Sequence, residues 1–265
     1  MAHRRSWEGA RAIVTGASSG IGAAIARQLA AAGGRLVITG RSLPALDRVA
    51  HQCMGSADLA TVAGDLTAAA VQEEVVGRAV AAFGGIDLLV NNAGVSMNAP
   101  FAELDEEVLR EIFEINFFAA AALTRLALPE LVRSHGAVVV MSSVVGLVGT
   151  PTRSAYAASK HALHGLFDAI RAEVRRHGVT VTIVCPGFVA TPIRERALRA
   201  DGTPQGFDDA ARRRMLSPER VARATLRAAA RGQRRLLLGR ETRLARALSL
   251  LAPGVLDALL ARAGR

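Results

Sequence analysis

Arg11–Thr15 reads as a short buried strand that runs into Gly16-Ala17-Ser18-Ser19-Gly20-Ile21-Gly22 and then into a helical run over 23–32. This order of strand, glycine turn and helix narrows the possible folds more than anything else in the chain. Glycines let the backbone turn tightly and approach a pyrophosphate, and the helix start offers unpaired N–H groups and a positive dipole end. The spacing is G-x-x-x-G-x-G rather than G-x-G-x-x-G. At 265 residues the chain has room for one large α/β domain or two small ones.

Apolar runs recur downstream. Residues 35–39 read as a second strand, 43–54 as a helix, Leu59–Ala63 as a third strand, and 86–90 as a fourth, apolar but for Asp87. Strands alternating with helices predict βαβ units and a parallel sheet. In such a unit the end of the second strand meets the adenosine ribose of a dinucleotide, where a carboxylate favours NAD. Gly40, Arg41 and Ser42 stand there instead. A guanidinium suits a phosphate, which points to NADP(H); the plain alternative is that Arg41 is one more arginine among 32. Asp65, in Gly64-Asp65-Leu66, is placed to accept from the adenine amino group. Thr67 reads as the N-cap of a helix through Phe83. Asn91-Asn92-Ala93-Gly94 closes the fourth strand with turn chemistry and room for close backbone approach.

A long helical pattern over 104–132 reads as broken, with Pro129 a candidate kink near its end. Within it Asn116 sits in an apolar setting, either a satisfied core residue or part of a proton path, since a buried amide needs partners. Ala137–Met141 reads as the central strand, ending at Ser142-Ser143. Beyond a glycine-rich loop comes Ser154-Ala155-Tyr156-Ala157-Ala158-Ser159-Lys160. Tyr156 is the only tyrosine in the chain and Lys160 the only lysine. Four apart, they share one helix face. Lysine, unlike arginine, is a compact point charge that shifts its pKa. An ammonium beside a phenol lowers the phenol's pKa from about 10, a recipe for a general acid/base acting on an alcohol or ketone. Ser143 is positioned to donate to the same substrate oxygen. The helix continues through a buried stripe of Leu163, Leu166, Ile170 and Val174.

Residues 179–184 read as another strand, followed by a Pro186-Gly187 turn at the ligand edge. Residues 193–214 lack clean periodicity and read as a mobile substrate lid, which with its flanks occupies about 188–216. Ser217 and Pro218 cap and start a helix through Ala230, and 236–238 read as a last short strand. The net charge of +10 comes almost wholly from arginine in an alanine-rich chain, a compositional bias. With 4% aromatics there are few platforms for stacking bases, so nucleic-acid binding is not expected. No uncharged apolar stretch of about 18 residues argues for a spanning helix, and no apolar run follows Arg4 and Arg5 as a secretion signal requires. Cys53 and Cys185 fit no metal or disulfide pattern and read as reduced thiols of a cytosolic protein. No metal site is expected.

The sequence resembles the short-chain dehydrogenase/reductase family, in its single-domain branch of about 250 residues. The resemblance rests on Thr15-Gly16-Ala17-Ser18-Ser19-Gly20-Ile21-Gly22, Asp65-Leu66, Asn91-Asn92-Ala93-Gly94, Asn116, Ser143, Tyr156-Ala157-Ala158-Ser159-Lys160 and Pro186-Gly187, in family order from about residue 8 to 240. It implies an α/β fold, with a Rossmann-like, doubly wound, mostly parallel sheet of seven strands and helices on both faces. It implies that Tyr156 is the acid/base, that Lys160 lowers its pKa and holds the nicotinamide ribose, that Ser143 polarises the carbonyl, and that Asn116 holds a proton-relaying water. The implied cofactor residues are Gly16, Ser18, Ser19, Gly20, Ile21, Gly22, Arg41, Asp65, Leu66, Asn92, Ala93, Gly94, Tyr156, Lys160, Pro186, Gly187, Val189 and Thr191. A homodimer or homotetramer is expected.

The expected activity is NADP(H)-dependent interconversion of a ketone and a secondary alcohol on a lipophilic small molecule, with Phe188, Ile193 and Phe207 in the lid. A non-catalytic nucleotide sensor on the same fold is the contrasting reading. Residues 241–265 form a basic, leucine-rich extension broken at Pro253-Gly254. Three readings stay open: a cover for the substrate pocket or a subunit interface, an amphipathic pair on a membrane surface, or a frayed tail.

Overall fold

The computed structural model describes residues 5–53, 58–206 and 215–263. Seven strands, β1 Arg11–Thr15, β2 Arg35–Gly40, β3 Leu59–Ala63, β4 Leu88–Asn91, β5 Ala137–Met141, β6 Thr180–Pro186 and β7 Arg235–Leu238, form one sheet in the order β3-β2-β1-β4-β5-β6-β7. Every pairing is parallel, so the sheet is wholly rather than mostly parallel. Parallel strands need crossovers, and the helices that make them cover both faces.

Side-chain alternation divides the core. Ala12, Val14, Leu36, Ile38, Leu88 and Val90 point to one face, under α1 Gly20–Ala31, α2 Leu43–Cys53 and α7 Pro218–Ala230. Ile13, Val37, Leu89, Val138 and Val140 point to the other, under α3 Ala69–Phe83, α5 Ala119–Arg133 and α6 Ser154–Val174. Asp87, just before β4, is explained by Arg11. The Arg11 Nε and Nη2 groups donate to the two Asp87 carboxylate oxygens at 2.8 and 2.7 Å. Burial pushes the Asp87 carboxyl up, and the Arg11 bonds outweigh it, leaving the group below its usual range.

Several local expectations shift. The first helix begins at Gly20, so the last glycines of the turn already form its first turn. Thr67 is not an N-cap: α3 starts at Ala69, and Asp65 Oδ1 instead accepts from the Thr67 N–H and hydroxyl, both at 2.9 Å. The pattern over 104–132 does not break. α4 Glu106–Phe113 passes through a π-turn, Glu114–Phe118, into α5, with Pro129 inside the last helix. This column of 28 residues is long and apolar enough, by length and composition, to cross a bilayer. A third of its most apolar stretch is buried inside the protein, and Ile112, Leu123, Ala127 and Leu131 are among the column's buried residues.

The lid also differs from expectation over its described part. Backbone pairing ties Leu198 to both Met97 and Pro204, and Ala197 is fully buried. Leu198 packs with Met97, Val108, Ile112 and Ala155 in a small core of its own. Residues 207–214, with Phe207, lie outside the described residues. The C-terminal extension forms α8 Arg240–Leu251 and α9 Pro253–Ala263.

Phe167 is the anchor of α6 and is fully buried against the sheet. Replacing it with Ala is expected to lower stability by about 3–5 kcal/mol in urea unfolding. A loss below about 1 kcal/mol would mean that α6 is held some other way.

Candidate active site

The carboxyl ends of β1 and β4 meet at the point where strand order reverses, the place where doubly wound sheets bind ligands. The Thr15 hydroxyl donates to Val90 O at 3.2 Å and accepts from the N–H groups of Asn92 and Ala93, both at 2.9 Å. The Asn92 amide donates back to Thr15 O and Gly16 O. Gly16 has φ +61°, and a Cβ on it would stand 2.8 Å from Ala93 Cα. Any other residue would push the loop out of this position.

The loop leads to a helix start that fits a phosphate. Ser19 caps α1 in extended conformation but makes no side-chain cap bond, leaving the first-turn N–H groups for a ligand. An open cleft of about 270 Å³ adjoins it, lined in part by Ser18, Ser19, Gly20, Arg27 and Arg48. Ser18 borders the end of β2, where a Cβ on Gly40 would lie 3.4 Å from its hydroxyl oxygen. Arg41, the next residue, is exposed there. Asp65 is exposed at the end of β3, with one carboxylate oxygen committed to Thr67. Ile21, Leu66 and Ala93 turn their side chains into the core. Thr191 lies against Gly20, while Val189 is buried and pairs with Leu216. The Gly187 N–H donates to Leu238 O, fixing the turn after Pro186. These residues fit a dinucleotide along the carboxyl edge.

The reactive groups gather at the ends of β5 and α6. Ser143 caps a short 3₁₀ turn, its hydroxyl accepting from the Val145 N–H at 3.4 Å. Tyr156 is half-buried. Burial pushes its phenol above the usual value, while a hydrogen bond from Ser143 and the charge of Arg153 pull it down. The expected lowering by Lys160 is therefore not what this arrangement gives. Lys160 is buried, its Nζ donates to Met141 O at 2.9 Å and lies 5.8 Å from the Tyr156 ring centre. Burial brings the ammonium down to about 8. Its ammonium is held by a backbone carbonyl at the end of β5.

Asn116 owes its direction to the π-turn, whose extra residue rotates the helix face. Its amide clamps Val95 at both ends: Nδ2 donates to Val95 O at 2.9 Å and Oδ1 accepts from Val95 N–H at 2.8 Å. Nδ2 also donates to Ser159 Oγ at 3.0 Å. Asn116 is thus a satisfied core residue that also borders the site. A Cβ on Gly94 would stand 2.8 Å from Asn116 Oδ1 and 3.3 Å from Lys160 Nζ. Only glycine lets those two groups come together.

Three contributors were missed in the sequence. Ser159 is fully buried and links Asn116 to Tyr156 O; its place one residue before Lys160, on a buried face, was the available signal. Arg153 donates through Nη1 to Ser96 Oγ at 3.0 Å and to Met97 O, tying two loops beside Tyr156. Abundant arginine hid it. His164 Nε2 lies 2.8 Å from Ser142 Oγ and 3.8 Å from Cys185 Sγ, joining α6 to the ends of β5 and β6. One turn beyond Lys160, it stood on the inward face of the same helix.

The fold and site together define an oxidoreductase of the dinucleotide-binding, parallel-sheet class. The family described as short chain dehydrogenase matches residues 10–201. The chain is 36% identical over 262 residues to dehydrogenase/reductase SDR family member 7B of Bos taurus, covering 96% of this chain and 81% of that protein. The Mus musculus protein of the same name is 37% identical over 203 residues, 74% of this chain and 63% of that one. Dehydrogenase/reductase SDR family member 7 of Homo sapiens is 36% identical over 197 residues, 72% of this chain and 58% of that protein. The chain belongs to the short-chain dehydrogenase/reductase family, whose members generally use NAD(P)(H) and act on small molecules, typically as oligomers.

Two outcomes follow from this geometry. Replacing Asn116 with Ala orphans both the Val95 N–H and its carbonyl, and an orphaned buried group costs about 1–3 kcal/mol. Urea unfolding is expected to show a loss in that range or above; an unchanged midpoint would mean the clamp is dispensable. The second concerns pH. Burial, then the charges of Arg235, His161 and Arg246, bring His164 down to about 4, with Asp168 opposing. Its pKa is lower folded than unfolded, so the unfolded chain takes the proton first as pH falls below about 6.5. Stability is expected to be full above that pH and to drop toward pH 4. His164→Gln should flatten that slope, measured as urea midpoints at pH 7 and pH 5.

Proposed function

We propose that this chain is an NADP(H)-dependent oxidoreductase that interconverts a ketone and a secondary alcohol on a lipophilic small molecule. The observation that carries the reading is the gathering of Ser143, Tyr156 and Lys160 beside Asn116, at the edge to which the glycine loop leads. When bound, the nicotinamide accepts or supplies the hydride at the carbonyl carbon. The chain's own groups do the rest. Ser143 donates to the substrate oxygen and holds it beside Tyr156. Tyr156 gives that oxygen its proton in reduction and removes it in oxidation. A phenol that burial keeps protonated suits the reducing direction, where the site needs an acid. Lys160 is poised near neutrality and within reach of a ribose hydroxyl at Gly94, and Asn116 borders the path by which its proton is replaced.

Arg41 supports NADP(H) over NAD(H). It stands exposed beside Gly40 and Ser18, with no carboxylate at the β2 end to take a ribose hydroxyl. The lipophilic substrate is supported by Phe188, 57% exposed with the Arg194 guanidinium 5.5 Å from its ring centre, and by half-buried Ile193 nearby in the chain. We read the working form as a homodimer or homotetramer and its setting as cytoplasmic.

Two measurements test this. Tyr156→Phe removes the proton carrier together with its hydrogen bond from Ser143, so turnover of a ketone panel with NADPH should fall at least about a thousandfold, within the reach of acid/base catalysis and electrostatic positioning combined. Cofactor binding, followed by NADPH fluorescence, should stay close to the wild-type value. A variant that turns over at the wild-type rate would remove Tyr156 from the mechanism. In the same titration the wild-type chain should prefer NADPH to NADH, and Arg41→Ala should lose about tenfold or more of that preference, the worth of one charged hydrogen bond. Equal binding of both cofactors by the wild type would end the role given to Arg41.

A further inference from the structure

Ten large apolar side chains are exposed among the described residues, and five of them, Leu244, Leu250, Leu251, Val255 and Leu259, belong to α8 and α9. They are not scattered. On α8 the exposed positions other than Glu241, namely Arg240, Arg243, Leu244, Ala247, Leu250 and Leu251, recur every three or four residues and share one face. The opposite face is satisfied, with Thr242 fully buried and Ala245 and Leu248 against the core. On α9, Leu256 and Leu260 turn inward, while Val255, Leu259 and Arg262 face out. A helix already docked by one face places polar groups on the other. These two place leucine there, with Leu251 at 84% exposure.

The charges on this face have one sign. Among the described residues no carboxylate pairs with Arg240, Arg243 or Arg262. Glu241 turns toward Gly187 and Gly239, away from that set, and Asp257 is the only other acid in either helix. Leucine flanked by unpaired arginine matches the interfacial zone of an anionic bilayer, where apolar side chains enter the acyl boundary and guanidinium groups meet phosphates. A second copy fits less well, since an isologous contact would set this cationic face against itself.

We propose that the outer face of α8 and α9 docks the protein peripherally on an anionic lipid surface. The leucines that flank the Ala252 junction enter the bilayer interface, and Arg240, Arg243 and Arg262 hold the headgroups. This places the substrate edge close to the lipid, because the α8 start is bonded to the end of β7 through Thr242 and Leu238 O, and Leu238 O in turn accepts from Gly187.

The test is co-sedimentation of the full chain with vesicles of phosphatidylglycerol and phosphatidylcholine, against phosphatidylcholine alone. Binding should require the anionic lipid and weaken as salt rises. Arg240→Gln with Arg243→Gln should weaken it by about fivefold per arginine. Leu250→Glu with Leu251→Glu should abolish it, with circular dichroism and thermal unfolding unchanged. All four positions are exposed, and the arginine pair keeps the test open should the leucine pair misfold. Absent binding, or equal binding to neutral vesicles, overturns the proposal. So does an oligomer, seen by light scattering, that the leucine pair dissociates while neither protein binds vesicles; that result assigns the face to a second copy.

Discussion

The hydrogen bonds exchanged between Thr15 and Asn92 hold the two halves of this protein together where its ligand edge forms. One hydroxyl serves Val90, Asn92 and Ala93, and one amide returns to Thr15 and Gly16. Because β1 and β4 are neighbours in space but are separated in the chain by β2 and β3, no local turn could align their ends. Thr15 at the end of β1 and Asn92 just past the end of β4 do so. The glycine loop then rests on Ala93, α1 starts where the loop delivers it, and the β4 end carries Gly94 to Asn116 and Lys160. A shift in that pairing would move the cofactor edge and the proton-handling groups apart.

The second half of the site depends on buried polar groups that bond to one another and to the main chain. Asn116, Ser159 and Lys160 are all buried, and each finds partners in the protein: Val95, Tyr156 O and Met141 O. Such groups are costly when left alone and directional when satisfied. The arrangement therefore fixes α6 in rotation as well as position. His164, a turn further on, continues the same pattern through Ser142. Desolvation also sets the electrostatics, lifting the phenol and bringing the ammonium to about 8. An ammonium close to neutrality and a phenol that keeps its proton make a pair suited to passing protons.

The extension beyond β7 follows a different logic. Its inner leucines complete the core over the sheet, and its outer leucines stay about half exposed or more. Composition obscured this. With arginine supplying nearly all the positive charge, a basic segment carries little meaning in the sequence, and only the exposed face of two packed helices separates Arg240 and Arg243 from arginines such as Arg11 that bridge strands.

Much was legible from residues alone. Apolar runs bounded by turn residues gave the strands closely, since strands buried on both faces leave no other signature. Tyr156 and Lys160 stood out because each is the single member of its type. Local pattern failed where distant partners decide. Thr67 looked like a helix cap, but Asp65 holds it in a turn. The apparent break in the long helical pattern is a π-turn that directs Asn116 to Val95, which is far from it in sequence. The segment after Pro192 looked irregular because its order comes from pairing with Met97. Spacing points to a phenol lowered by Lys160, whereas burial raises it, with Ser143 and Arg153 opposing. By itself the sequence determined the order of strands and helices, the dinucleotide loop and the identity of the reactive pair, because these rest on periodicity and on residue chemistry. Only the tertiary structure decided which polar groups satisfy one another and which leucines remain outside, because both depend on what lies across the fold.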